Sequence, residues 1–243
     1  EFRRVLSDLV EALRRDYITA ALQAERREAL LVEALTALAG IDVVLLKGIA
    51  YAGAIYPDPA ERPMTDVDLL VRDARFDEAA RALRRLGYWH DGKRNQQSGA
   101  NHAVTFRRRE SAIDLHRDLV QRGRMGLDLA TMWRDAVPAR HGALRPAPAH
   151  EYLLHVAHMA RHELTVPLIA FVDAARLRPR AGAGIDALAT RWRLHRAVAL
   201  VEPPSRLQDQ QPADLDRGGD TAELDLDALA VREARPERLA RAT

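Results

Sequence analysis

Apolar residues return every three to four positions at the start of the chain. Leu6, Leu9, Val10 and Leu13 form one stripe, and Leu30, Leu31, Leu35 and Leu38 form a second. Residues 4–39 are therefore predicted as two helices, with Gly40 as the stop. The period then shortens. Residues 42–46 are a β-branched and aliphatic run of the kind that makes a buried strand, and residues 48–56 are predicted as a helix ended by Pro57. A loop over 57–65 holds three prolines, and residues 66–71 read as a second strand. Phe76, Ala79, Ala80, Leu83 and Leu86 share one side of a predicted helix over 75–86, stopped by Gly87. Residues 92–101 are polar and read as a loop. Residues 102–106 and 112–116 read as two strands joined by a charged turn.

Beyond about residue 147 the helical period returns, most clearly over 150–162 and 168–177, with a further helix over 188–201. The order is two helices, then strand–helix–strand–helix–strands, then helices. That is an α/β core between helical pieces. It is not a dinucleotide-binding pattern, because no GxGxxG turn follows the first strand. The expected divisions are N-terminal helices over 1–40, a core over 41–146 and a helical region over 147–202. Residues 203–243 contain no aromatic residue and no histidine, and are expected to be disordered or loosely docked.

Composition narrows the picture. Hydrophobic residues make up 47% of the chain but aromatics only 5%, so aliphatic side chains must supply most of the core. No run approaches the length of a membrane span, and the N-terminus lacks the apolar segment of a signal peptide. With no cysteine, disulfides and thiolate metal sites are excluded, and a cytoplasmic location is expected. The net charge of +2 does not mark a dedicated nucleic-acid surface, and Arg107-Arg108-Arg109 reads as a solvated turn. Of the 37 Lys and Arg residues, only Lys47 and Lys93 are lysine. A lysine is thus a departure from the local habit.

The candidate chemistry starts at Asp66-Val67-Asp68. Strand side chains alternate, so both carboxylates fall on one face. A divalent cation relieves their repulsion, and hard oxygen ligands suit Mg²⁺ or Mn²⁺. The same dipeptide spacing also occurs on solvated strand edges. Ile113-Asp114-Leu115-His116 places Asp114 and His116 together between aliphatic neighbours, where a metal or a strong hydrogen bond would offset the cost of burial. Lys47-Gly48 stands at a strand-to-helix turn, where glycine admits a close ligand and lysine adds a charge. Arg62 has a planar fork of donors suited to a triphosphate. His155, His158 and His162 lie on one helical face. They read as a zinc site, as core histidines, or as a wall facing the acidic strands, with His158 orienting nucleotide or acceptor.

Together, Val43 to Gly48, Tyr56-Pro57, Arg62-Pro63-Met64-Thr65-Asp66-Val67-Asp68-Leu69-Leu70-Val71 and Ile113 to His116 resemble the bacterial nucleotidyltransferase-like family of the DNA polymerase β superfold. Glu151 to His158, Arg161-His162 and Asp173 resemble that family's helical portion. The resemblance covers roughly residues 20–200 and is most specific over 41–72. It implies an α+β fold, with a small mixed sheet flanked by N-terminal and C-terminal helices. It also implies a metal-dependent transferase that moves a nucleoside monophosphate from an NTP such as ATP to an acceptor, releasing pyrophosphate. The acceptor is a small molecule, a peptide, a protein or a tRNA. Asp66 and Asp68 would ligate the Mg²⁺ or Mn²⁺ that carries the triphosphate, and Asp114 would complete a second metal position. Lys47, Gly48, Arg62, Thr65, His116 and His158 would contact the nucleotide. One departure is plain: better-known members carry Gly-Gly or Gly-Ser at the turn, whereas here Lys47 precedes Gly48 and Ile49 follows it. Two other readings stand beside the transferase. One is a non-catalytic nucleotide-binding module of the toxin–antitoxin type, and the other is a phosphohydrolase with metal on the histidine stripe.

Overall fold

The computed structural model describes residues 1–90, 102–119 and 125–202. These all fall within one compact unit, Glu1–Glu202. The loop expected over 92–101 and the tail expected over 203–243 lie outside the described residues.

The first helix, α1 (Phe2–Ala37), is continuous rather than two pieces. Nothing between the two apolar stripes breaks a helix, so propensity carries the chain straight through. The stripes have different fates. Leu30, Leu31, Ala34 and Leu38 are buried, whereas Leu6, Leu9, Val10 and Leu13 are exposed. Gly40 then takes a positive φ of 81°, as a helix stop requires.

Strand β1 (Val43–Leu46) runs into the short helix α2 (Lys47–Tyr51). This helix ends five residues earlier than the sequence predicts. The chain turns through Gly53, at φ 75°, and Tyr51 O collects the N–H groups of Ala54, Ile55 and Tyr56. Strand β2 (Val67–Val71) follows the proline loop, and α3 (Phe76–Arg85) follows β2. Next come β3 (Ala103–Arg108) and β4 (Ser111–His116), then α4 (Leu129–Arg134) and two very short strands, β5 (Val137–Pro138) and β6 (Leu144–Arg145). The last three elements are absent from the sequence reading, because a six-residue helix and two-residue strands leave too little period to detect. Helices α5 (Pro148–Arg161), α6 (Leu168–Leu177), α7 (Ile185–Arg191) and α8 (His195–Val201) complete the described chain. The single helix expected over 188–201 is interrupted where Arg193 adopts φ 59°. No helix among the described residues is long and apolar enough to cross a membrane.

The sheet has the order β3-β4-β2-β1-β6-β5. It is mixed: β1 pairs antiparallel with β2, while β2 pairs parallel with β4 and β1 parallel with β6. The fold is thus α+β, as the resemblance implied. Period-two alternation sorts the strand residues. Val43, Leu45, Val67, Leu69, Ile113 and Leu115 join one hydrophobic cluster with Leu31 of α1 and Leu83 of α3. Val44, Leu46 and Leu70 join Met132 and Trp133 of α4 in another. Asp68, Asp114 and His116 share the parity of this second face, and the site is built there.

Candidate metal and nucleotide site

The register of three neighbouring strands assembles the acidic group. Leu46 of β1 lies opposite Asp68 of β2, and Asp68 lies opposite Asp114 of β4. His116 is two residues beyond Asp114, and Asp66 two before Asp68, so all of them face the same way. Lys47 follows β1 directly and reaches across to β2.

Asp68 is the most enclosed of these groups, at 3% exposure. Its Oδ1 accepts a hydrogen bond from Lys47 Nζ at 2.6 Å and is 2.9 Å from His116 Nε2. An ionised carboxylate can only accept, so His116 must carry its proton on Nε2. Burial alone would raise the Asp68 carboxyl. The Lys47 ammonium and the His116 hydrogen bond outweigh it and hold the carboxyl well below the usual range. Burial likewise works against the Lys47 ammonium, yet Asp68 beside it leaves the ammonium above its ordinary value. Asp66 behaves oppositely. Burial, with the charges of Asp68 and Asp114, pushes its carboxyl up, against a weaker downward pull from Lys47.

These residues suit a divalent cation on two observations. Ligand atoms of Asp68, Asp114 and His116 all lie within 4.8 Å of one another. Asp114 Oδ1 is buried with no hydrogen-bond partner, an arrangement that costs free energy unless something positive meets it. The set differs from the all-carboxylate set the resemblance implied, for His116 joins it and Asp66 does not. Asp66 still lines the same cavity.

That cavity has a volume of about 380 Å³. Lys47, Asp66, Asp114 and His116 line it, together with His102, His158 and Arg161. The histidines of α5 divide by role. His155 is buried and fully engaged: its Nε2 donates to the Ala170 carbonyl at 2.8 Å, and its Nδ1 is 3.1 Å from the Tyr51 hydroxyl. It is a core histidine, so the stripe has no common metal-binding edge. His158 and His162 stack edge to face with ring centroids 4.8 Å apart. His102 Nε2 is 2.8 Å from Arg161 Nη1. Sequence reasoning gave no site role to His102, which lies in no recognisable spacing, or to Arg161, which it named only as part of the stretch resembling the family's helical portion.

Burial removes water from His158 and, with the Lys47 charge, holds its imidazole down at about 3. Burial and the Arg161 charge hold His102 down at about 4. Both rings are neutral in the folded protein at pH values where the unfolded chain takes up protons. Their stabilising contribution is therefore complete above the ordinary histidine value and is lost as pH falls below it. The loss is about 1.4 kcal/mol per pH unit for each ring. Asp66, held above the ordinary carboxylate value, acts in the opposite sense. Urea midpoints at pH 7.5 and 5.0 isolate His158: the fall should be smaller in His158→Asn than in the wild type. An equal fall in both would contradict the assignment.

Three residues expected to contact nucleotide lie outside the cavity wall. Thr65 is exposed beside Asp66, with its hydroxyl 3.4 Å from Asp66 Oδ1. Gly48 is buried, and a Cβ there would come within 3.2 Å of Met64 Cβ, so a side chain at this position would crowd the proline loop. Arg62 is held by Asp173 of α6 through Nε and Nη2, at 2.8 and 2.7 Å. The Tyr56 hydroxyl donates to the same carboxylate at 2.7 Å. The guanidinium thus ties the loop before Asp66 to the helical region. Glu151, on the cavity wall, accepts from Arg145 Nη2 through Oε2 alone, and its Oε1 is buried without a hydrogen-bond partner.

Comparison with known protein families assigns the chain to a family. The family model described as "Uncharacterised nucleotidyltransferase" matches residues 1–201. No curated protein matches the sequence. Among solved structures, the chain is similar to the antibiotic-resistance factor ANT(2'')-Ia, determined in solution. The identity is 12% and the TM-score 0.49, over 76% of this chain and 94% of that one. The matched span contains every residue of the site just described, and the chain belongs to this uncharacterised nucleotidyltransferase family.

Proposed function

We propose that the chain is a metal-dependent nucleotidyltransferase acting on a nucleoside triphosphate in the cavity bounded by Asp66, Asp114 and His116. The observation that carries the reading is the buried, partnerless Asp114 Oδ1 beside Asp68, among ligand atoms within 4.8 Å of one another. Mg²⁺ or Mn²⁺ would be held by Asp68 and Asp114, with Asp66 or His116 completing the set. Bound there, the ion would supply positive charge to the phosphates as negative charge moves onto the leaving oxygen.

The chain's own groups do the rest. The acceptor hydroxyl oxygen bonds to the α-phosphorus, the bond from that phosphorus to the bridging oxygen breaks, and pyrophosphate leaves. Asp114 orients the hydroxyl and draws on its proton. His116, fixed on Asp68 at 2.9 Å, holds that carboxylate in place. His158, neutral and on the same cavity's lining, offers a hydrogen-bonding ring to nucleotide or acceptor without adding charge. Lys47 adds positive charge at the floor of the site. A histidine-centred phosphohydrolase finds no such support, since both ring nitrogens of His155 are engaged.

Calorimetric titration of ATP, GTP, CTP and UTP tests the proposal. One NTP should bind in the presence of Mg²⁺, and binding should collapse with EDTA or in Asp68→Asn. A folded protein that binds none of the four NTPs with Mg²⁺ would sink the reading.

A further inference from the structure

The Lys47 ammonium lies against Asp68, one of the carboxylates proposed to hold a divalent ion. We infer that Lys47 is a built-in cation that stands in for one of two divalent ions, so that the free protein binds a single divalent ion, at Asp68 and Asp114. This inference rests on the proposed reading of the carboxylates as a metal site.

Four observations converge on it. First, Lys47 Nζ lies 2.6 Å from Asp68 Oδ1, and the same oxygen is already met by His116 Nε2 at 2.9 Å. That oxygen is satisfied, whereas Asp114 Oδ1 has no partner and Asp66 pairs only with the Thr65 hydroxyl among the described residues. The buried carboxylate oxygen left without a partner therefore belongs to Asp114, away from the oxygen that Lys47 meets. Second, three carboxylates against one ammonium leave a formal charge of −2, which one divalent ion cancels and two would reverse. Third, Lys47 adopts φ 52°, the left-handed conformation that side chains other than glycine rarely take. A glycine would sit there without strain, and the feature gained by using lysine is the ammonium on Asp68. Fourth, lysine is one of only two in a chain that otherwise uses arginine. A lysine carries a compact point charge, closer to an ion than a planar guanidinium fork.

Counting bound Mn²⁺ by electron paramagnetic resonance, without nucleotide, tests the inference. The wild type should bind one Mn²⁺ at saturation. Lys47→Gly, which removes the ammonium and relaxes the turn, should bind two. If circular dichroism shows that Lys47→Gly is not folded, Lys47→Met, which keeps the side chain's length, gives the same count. A variant that still binds one ion overturns the inference. Two ions in the wild type overturn it while leaving the transferase reading intact. No ion in the wild type overturns both.

Discussion

Asp114→Asn is expected to lose about a hundred- to a thousandfold in magnesium-dependent pyrophosphate release while its folded state becomes more stable. The two effects have one cause. Asp114 Oδ1 is buried without a partner, and its charge helps push the neighbouring Asp66 carboxyl up. In the metal-free protein that charge is a liability, and an amide of the same shape removes it. With like charges this close in a partly enclosed site, the gain should be on the order of 1 kcal/mol. The charge is needed when the site works, because a neutral amide neither holds a divalent ion well nor draws a proton from an attacking hydroxyl. Release of pyrophosphate with water as acceptor, measured beside a urea melt, reads both. A variant with wild-type turnover would remove Asp114 from the machinery. A variant that is less stable without metal would show that the carboxylate is satisfied in solution by a partner.

Asp173→Ala is expected to cost about 3–5 kcal/mol of folding stability, read as a shift of the urea midpoint. Asp173 is fully buried, receives Arg62 through two nitrogens and also accepts from the Tyr56 hydroxyl. Removing it strands a guanidinium whose side chain is only 12% exposed, and leaves a tyrosine hydroxyl without its partner. The large penalty belongs to the orphaned charge rather than to the pair itself. The double variant Arg62→Met/Asp173→Leu should therefore recover much of the loss. If it is as unstable as Asp173→Ala, packing volume rather than charge governs this junction. The site should feel the single variant as well, since Arg62 anchors the loop that delivers Asp66.

Much of this architecture follows from period and punctuation alone. Strand alternation puts Asp68 on the parity of Asp66 and Leu70, and Asp114 on the parity of His116, whatever the rest of the chain does. Gly40 and Gly87 end their helices at positive φ because an unhindered residue is needed there. The order of helices and strands was legible in the same way, whereas the α+β fold and the nucleotidyltransferase family were implied by the resemblance carried by the run over 41–72 and the later Asp114. What local pattern cannot carry is which of two similar stripes is covered. Leu9 and Leu31 look alike in sequence, yet one is 53% exposed and the other fully buried.

Partner choice among polar groups was likewise decided only in three dimensions. From sequence, Lys47 and Arg62 are equivalent candidates for a phosphate, and His155 and His158 are equivalent neighbours on one helix. The register of β1, β2 and β4 brings Lys47 onto Asp68, 21 residues away, and the docking of α6 brings Asp173 onto Arg62, 111 residues away. The same docking sets the Ala170 carbonyl against His155 and leaves His158 on the cavity wall. Period fixes the face on which a side chain stands. A buried charge takes whichever counter-charge the packing of distant elements sets beside it, and the cost of leaving it unpaired makes that pairing binding.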